Sequence, residues 1–274
     1  MPSKRSLPAS TSSSVSKRLR HVGSQSTVTG RPTLEDCTAV HRALLACHGK
    51  PPAPEAMKFE DDEEGGPVTE DGMATSILDS VFRCMLTLNT NARNYRVGKK
   101  GLDKRFGQSK YEAIRAASLD DVVEALKPGG LANVKGKRLK RMLDDVYARN
   151  GQNTLSLEDL RNLPGDKVKQ ELLALHGVGP KVAACVMAYR LGLHEFAVDT
   201  HVLRITKSLG WVSQSSTAVQ AYDYLNARIP NDLKHEVRLH VLFIQHGRAC
   251  RTCSAAGVKV KEPVEKCPLK PFLQ

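Results

Sequence analysis

Long apolar runs and aromatic side chains are scarce in this chain of 274 residues. Phe, Trp and Tyr together make up 5% of the sequence, with a single Trp. No stretch reaches the roughly 18 consecutive apolar residues that a membrane helix needs, and the N-terminus lacks the apolar core of a secretory signal. No alternating apolar pattern indicates strands. These absences argue against a secreted or membrane-spanning protein and favour an all-α fold.

Acidic residues are absent from the first 34 positions, which contain six Lys and Arg residues. The whole chain has 41 Lys and Arg against 29 Asp and Glu, a formal net charge of +12. A charge of this sign favours a polyanionic partner such as nucleic acid. Further basic residues cluster between positions 99 and 141. Seven scattered cysteines are typical of reduced thiols or metal ligands rather than disulfides.

A glycine turn, Gly177-Val178-Gly179, precedes a helical pattern that begins at Pro180. Glycine permits a close backbone approach, and proline suits the first position of a helix. The free N–H groups at such a helix start favour phosphate, although glycines also serve plain helix–turn–helix connections. Gly192 is the expected end of this helix.

Lys181 and Asp199 are the candidate catalytic residues. Lys181 lies in the first helical turn, where the helix dipole disfavours a positive charge, so we expect a lowered pKa and a nucleophilic amine. Asp199 is an expected N-cap of the next helix, and its carboxylate could also stabilise positive charge beside Lys181. His201 is either a DNA contact or a hydrogen-bonding partner near that cap. Cys185 is interpreted as core packing, and Cys84 shows no sign of a site.

The stretch from Leu175 to Val202 resembles the helix-hairpin-helix and Gly/Pro-Asp signature of the endonuclease III superfamily of DNA glycosylases. The family pattern L-P-G-V-G-x-K-T-A, followed by V-D-T-H, corresponds here to LHGVGPKVA and VDTH, with His176 in place of proline and Val182 in place of threonine. The segments LTLNTN, GLANVK and FIQHGR resemble flanking family motifs. Together these matches extend over about residues 73–267.

The resemblance implies a two-domain helical glycosylase fold with a DNA cleft between the domains. It implies that Lys181 attacks C1′ of an extruded nucleotide, expels the damaged base and forms an imine, after which β-elimination nicks the strand. Asp199 would support the positive charge on the sugar. Leu131 and Asn89 match two residues that fill the gap in the duplex, with Asn89 in place of glutamine. Lys135 belongs to the same DNA-contacting loop as Leu131.

The cysteines near the C-terminus depart from the family pattern. Many members bind a [4Fe–4S] cluster through C-x6-C-x2-C-x5-C, whereas this chain has Cys250, Cys253 and Cys267 in a C-x2-C-x13-C array. Three thiolates are one ligand short, so His246 or a distant cysteine would have to complete a set. The ligand count favours the absence of a resident cofactor, with a [4Fe–4S] cluster or zinc as alternatives.

Five segments are predicted along the chain. They are a disordered basic tail (1–32), a helix that packs with the C-terminal domain (33–48), an acidic Pro/Gly linker (49–72), a helical domain with the hairpin (73–198) and a C-terminal helical domain with the degenerate cysteine tail (199–274). The basic pairs Lys4-Arg5 and Lys17-Arg18 predict a nuclear location, with the mitochondrion as an alternative.

The sequence thus predicts a monomeric base-excision repair glycosylase with AP lyase activity on double-stranded DNA. The Lys181–Asp199 interval and VDTH resemble most the branch that acts on oxidised pyrimidines and abasic sites. One alternative is a glycosylase of the same superfamily for oxidised guanine or for a mismatched or methylated base. Others are a non-catalytic helix-hairpin-helix DNA-binding protein and a scaffold with a degenerate site.

Overall fold

The computed structural model describes residues 30–51, 76–235 and 239–274, and within these ranges it contains α-helices, short 3-10 turns and no strand. The all-α prediction is confirmed. Most of the predicted basic tail and most of the predicted acidic linker lie outside the described residues. None of the helices in the described part of the chain is long and apolar enough to cross a membrane.

Twelve α-helices follow one another along the described ranges. They are α1 (Leu34–His48), α2 (Ile77–Leu86), α3 (Ala92–Phe106), α4 (Tyr111–Ala116), α5 (Leu119–Leu126), α6 (Ala132–Arg149), α7 (Gly165–Ala174), α8 (Pro180–Arg190), α9 (Thr200–Ser208), α10 (Ala218–Arg228), α11 (Asn231–His235) and α12 (Leu239–Ala249). The segments Lys127–Gly129, Glu158–Asn162 and Lys270–Phe272 form 3-10 turns.

Helix α2 is the central element, since every one of its residues is buried and it packs against α8. Its two charged side chains form an internal pair, with Arg83 Nε 2.6 Å from Asp79 Oδ2. Tyr111 of α4 donates a hydrogen bond to the same carboxylate. Removal of one partner from such a buried pair typically costs about 3–5 kcal/mol, because it leaves an uncompensated charge. The pair therefore helps to fix α2, and with it the start of α8.

The turn before α6 is held against α3 by glycines. A Cβ atom on Gly129 would lie 2.8 Å from the Cα of Gly98 and 2.6 Å from the carbonyl oxygen of Asn94, closer than real Cβ contacts come. Only glycine allows this backbone approach. The contact fixes the position of the next residues, which include Leu131 at the start of α6.

Helices α1, α9 and α12 pack together in the second half of the molecule, with α12 in contact with both others. Thr33 is the N-cap of helix α1, which begins at Leu34, and Thr33 and Asp36 form a capping box. The buried apolar side chains form one cluster that extends from Cys37 to Leu269. The helices around α2 and those around α12 therefore share a continuous core.

Candidate active site and DNA-binding groove

The glycine turn joins α7 to α8 in the conformation that the sequence predicts. Gly177 has a φ of +79° and is exposed, while the side chain of Val178 is buried. Gly179 is the N-cap of α8 and Pro180 its first residue, and the helix start has no side-chain cap. The N–H groups of the first turn are therefore open to an anionic group, the arrangement that favours phosphate.

Contacts to α6 and α2 hold this turn in place. The backbone N–H of His176 donates to Oδ2 of Asp145 on α6 at 2.7 Å. A Cβ atom on Gly177 would lie 3.1 Å from Cε of Met85 and 3.4 Å from Cγ of Arg138. The hairpin thus lies directly beside the basic side of α6.

Lys181 and Asp199 lie at the starts of two successive helices, and both are half-buried. Asp199 is the N-cap of α9, where its Oδ1 accepts a hydrogen bond from the backbone N–H of Val202 at 2.8 Å, so the predicted cap is confirmed. The carboxylate of Asp199 is also one of the negative charges that raise the pKa of Lys181. The amine and the carboxylate therefore interact electrostatically.

Two cysteines surround the amine of Lys181. Cys185 lies one turn along α8 and Cys84 comes from α2; both are buried, and they hydrogen-bond each other. The thiolate of Cys185 is the main cause of the raised pKa of Lys181, with smaller contributions from Cys84 and Asp199 against the effect of burial. In return, the pKa of Cys185 is lowered by the hydrogen bond from Cys84 and by the charge of Lys181.

The expected lowering of the Lys181 pKa is therefore wrong in direction. A helix terminus contributes typically about 0.3–1 kcal/mol, whereas a full negative charge at short range inside the protein contributes more. The interpretation of Cys185 as simple core packing missed this role. Its position four residues after Lys181, on the same face of the helix, was a signal present in the sequence. The proximity of Cys84 depends on the packing of α2 against α8 and had no local signal.

His201 lies against α12. Its Nδ1 lies 3.0 Å from Nη2 of Arg204, and a Cβ atom on Gly247 would lie 2.6 Å from the same nitrogen and 3.1 Å from the His201 Cβ. Burial lowers the pKa of His201. The structure therefore gives this histidine a packing partner on α12 and a hydrogen-bonding partner on its own helix.

Asn89 and Leu131 line the same groove, a cavity of about 220 Å³ whose wall includes Met85, Lys135 and Arg138. Both have left-handed backbone conformations, with φ values of +52° for Asn89 and +53° for Leu131. Such a conformation is uncommon outside glycine and is strained for a leucine. The side chain of Leu131 is nevertheless 50% exposed. The structure thus brings together the two candidate gap-filling residues and presents the leucine to solvent.

The architecture around α2 and α8 matches known proteins. A family model described as an HhH-GPD superfamily base excision DNA repair protein matches residues 82–231. The chain belongs to this superfamily. It is 33% identical over 258 residues to a candidate DNA glycosylase of Arabidopsis thaliana, which covers 88% of this chain and 86% of that protein.

This HhH-GPD protein is also similar to two endonucleases III, one in sequence and one in fold. The enzyme of Sulfolobus acidocaldarius is 24% identical over 202 residues, which cover 73% of this chain and 83% of that one. A solved structure of a trapped covalent intermediate between an endonuclease III and DNA matches the fold with a TM-score of 0.57 and 18% identity, over 85% of this chain and 95% of that chain. These matches confirm the predicted resemblance to endonuclease III-like DNA glycosylases.

The basic residues of the HhH-GPD chain near the groove divide into two groups. Lys137 and Arg138 are exposed on α6, whereas Lys135 is buried at the groove wall, where burial lowers its pKa. Lys99 forms an ion pair with a carboxylate of its own helix. Lys140 donates to backbone carbonyl oxygens at the end of α4. Thus only part of the basic cluster predicted between positions 99 and 141 is free to contact DNA.

The three C-terminal cysteines of the HhH-GPD chain come together with a histidine. The donor atoms of His246, Cys250, Cys253 and Cys267 all lie within 4.8 Å of one another. His246 belongs to α12, Cys250 follows its last residue, and Cys267 precedes the final 3-10 turn. This group could hold a metal ion, and His246 is the fourth donor that the cysteine spacing lacked.

Proposed function

We propose that this protein is a bifunctional DNA glycosylase and AP lyase that acts through a Schiff base at Lys181. The observation that carries the proposal is the half-buried amine of Lys181 at the open start of α8, where its charge interacts with Asp199 and Cys185. Membership of a base-excision repair superfamily supplies the reaction class. The trapped covalent complex of an endonuclease III with DNA is a precedent for covalent chemistry on this fold.

The amine has to lose a proton before it can attack. Because the surrounding negative charges raise its pKa, Lys181 is an ammonium ion at neutral pH in the free protein. The departing base keeps the electron pair of its bond to C1′ and needs a proton, so it is the acceptor for the proton that Lys181 gives up. The amine nitrogen then bonds to C1′, and the bond from C1′ to the base breaks with its electron pair on the base.

Asp199 is the fixed negative charge in this scheme. Its carboxylate is oriented by the N–H of Val202, which holds it at the start of α9. A preorganised carboxylate stabilises positive charge that develops on the sugar during departure of the base. β-Elimination from the resulting imine then breaks the strand on the 3′ side of the sugar.

The groove next to the hairpin supports double-stranded DNA as the substrate. A base inside a duplex is out of reach of a side chain, so the nucleotide has to leave the helix. Leu131 and Asn89 lie on one groove beside the glycine turn, where they can enter the space that the nucleotide vacates. Lys137 and Arg138 are exposed on α6, the helix that begins after Leu131, where their charges can contact phosphates.

Borohydride trapping tests the covalent step. We expect the wild-type protein to become covalently attached to an oligonucleotide duplex with an abasic site in the presence of borohydride, and Lys181→Gln to lose this product. Lys167→Gln, an exposed position on α7, is the matched control and should trap like the wild type. Absence of trapping by the wild type, or undiminished trapping by Lys181→Gln, would refute the proposal.

A cleavage panel identifies the base. We propose oxidised pyrimidines and abasic sites, so duplexes with thymine glycol or dihydrouracil should be cut faster than those with 8-oxoguanine or uracil. Faster cleavage of the 8-oxoguanine or uracil duplex would assign the protein to another branch of the superfamily. Binding to all duplexes without cleavage would instead identify a non-catalytic DNA-binding protein.

We also propose a nuclear location from the basic pairs at positions 4–5 and 17–18. Residues 1–32 fused to a fluorescent reporter should direct it to the nucleus, and replacement of both basic pairs with alanine should abolish this. Accumulation of the fusion in mitochondria would favour the alternative.

A further inference from the structure

The four donors near the C-terminus converge from separate turns of the chain. Cys250 follows α12 by one residue, and its backbone N–H still donates to the carbonyl oxygen of His246 at 2.8 Å. The chain then returns through a hydrogen bond from Val264 N to Ala249 O at 2.8 Å. This return brings Cys267 back to α12 across a long loop. The backbone thus builds a pocket in which all four donor atoms face one another.

The distances between these donors fit a single ion. The sulfur atoms of Cys253 and Cys267 lie 3.7 Å apart, and Sγ of Cys267 lies 3.6 Å from Nε2 of His246. With Zn–S bonds of about 2.3 Å and a Zn–N bond of about 2.0–2.1 Å, tetrahedral angles separate two sulfurs by about 3.8 Å and a sulfur and a nitrogen by about 3.5–3.6 Å. Both observed distances agree with that geometry.

The same donors do not fit a [4Fe–4S] cluster. Such a cluster takes four thiolates, one on each iron, whereas this group supplies three thiolates and an imidazole. Thiolates on four different irons have the irons and bridging sulfides between them, so their sulfurs stand much farther apart than those on one ion. A separation of 3.7 Å between Cys253 and Cys267 leaves no room for the cluster.

Helix α1 supplies the outer partner of the histidine. His246 is fully buried, and while its Nε2 faces Cys267, its Nδ1 lies 3.0 Å from Nε2 of His48. A metal-binding histidine almost always donates its second ring N–H to an outer acceptor, which fixes the tautomer and the ring orientation, and here Nε2 of His48 is in position to accept it. His48 therefore completes the arrangement expected around a ligating imidazole.

We propose that His246, Cys250, Cys253 and Cys267 bind one Zn²⁺ in a closed tetrahedral site that ties α12 and the C-terminal turn together. Cys250 is 2% and Cys253 6% exposed, and four protein donors leave no position for water or substrate. Closed sites of this kind are structural, and soft thiolate ligands favour zinc over oxygen-seeking ions. The ion stabilises the fold and takes no part in the reaction at Lys181.

Metal analysis of the purified full-length protein tests the site. After growth with both iron and zinc supplied, we expect one zinc per chain, with little iron and no inorganic sulfide. Metal-free protein titrated with Co²⁺ should develop the visible absorption of a tetrahedral thiolate complex, complete at one equivalent. Iron with inorganic sulfide, a Cys253–Cys267 disulfide without metal, or a Co²⁺ spectrum of octahedral type would each overturn the proposal.

Two substitutions on α1 distinguish this site from the other group of candidate ligands, Cys47, His48 and His246. Cys47→Ser should keep one zinc per chain, because Cys47 is outside the proposed set. His48→Gln should keep the stoichiometry but weaken zinc binding about 10–100-fold, the usual effect of an outer partner. Cys253→Ser should lose tight binding, and if that variant does not fold, the Co²⁺ titration of the wild type still decides the matter. Loss of the ion in Cys47→Ser would transfer the site to the other group and refute the proposal.

Discussion

The left-handed backbone of Leu131 reverses the usual order of stability between a glycine and an alanine substitution. In an ordinary helix, glycine is about 1 kcal/mol less stable than alanine. At Leu131, with φ +53° and ψ +27°, a residue with a Cβ atom carries a strain of about 1–2 kcal/mol that glycine does not. We therefore expect Leu131→Gly to be more stable than Leu131→Ala.

The size of the difference follows from the same geometry. Full burial of a leucine contributes about 1.5–3 kcal/mol, so a half-exposed side chain loses about 1 kcal/mol in either variant. The glycine variant is free of the backbone strain, but it loses about 0.4–1 kcal/mol of stability because its unfolded chain has more conformational freedom. The glycine variant should exceed the alanine variant by about 0.5–1 kcal/mol and lie close to the wild type.

Equilibrium urea denaturation measures this order. Lys137, an exposed position inside the same helix, provides the control, because Lys137→Ala should there be more stable than Lys137→Gly. Both Leu131 variants should also cut a base lesion in duplex DNA about tenfold more slowly, since each loses a contact worth about 1.4 kcal/mol with the opened duplex. The same stability order at both positions would refute the strain argument.

Substitutions at four positions, Cys185, Asp199, Lys140 and Lys137, test the site and its support. Replacement of Cys185 with alanine removes the thiolate that raises the pKa of Lys181. The rate of borohydride trapping, which rises with pH as Lys181 loses its proton, should therefore begin to rise at lower pH in this variant. A pH profile identical to that of the wild type would contradict the charge interaction between Cys185 and Lys181. Asp199→Ala should lose about 1 kcal/mol of unfolding free energy because it removes the helix cap, whereas Asp199→Asn should keep that stability. Both variants should slow trapping, because neither has the carboxylate charge. Equal denaturation midpoints for Asp199→Ala and the wild type would count against the cap. Lys140→Met leaves carbonyl oxygens at the end of α4 without their donor and should cost about 1–3 kcal/mol. Lys137→Met should instead leave the free energy of unfolding unchanged and reduce the salt dependence of DNA binding by about one phosphate contact. A loss of stability in Lys137→Met, or a weaker salt dependence in Lys140→Met, would overturn the assignment of Lys140 to the fold and of Lys137 to DNA contact.

Features that depend on neighbouring residues were predictable from the sequence. Thr33 caps α1, Pro180 begins α8, and Gly192 follows that helix with a φ of +64°. Each of these residues acts through its own backbone preference or through a hydrogen bond to a residue three positions away. For the same reason the sequence alone was enough to assign Asp199 to the start of a helix.

Features that depend on packing between distant segments were not predictable in this way. The spacing of Val182, Cys185, Val186 and Tyr189 predicts one apolar face on α8. Every residue from Val182 to Ala188 is nevertheless buried, because α2 and α7 both pack against this helix. The same packing brings Cys84 to Lys181 and reverses the direction of the lysine pKa shift. The spacing of residues along one helix does not predict which other helix will pack beside it.

The close meeting of α9 and α12 limits how this chain can change during evolution. A Cβ atom added at Gly247 would lie 2.6 Å from Nδ1 and 3.1 Å from Cβ of His201, two residues beyond Asp199. Even a single added methyl group at position 247 would push on the helix that holds the carboxylate. A mutation far along the sequence, on a helix that carries neither Lys181 nor Asp199, would therefore disturb the position of that carboxylate.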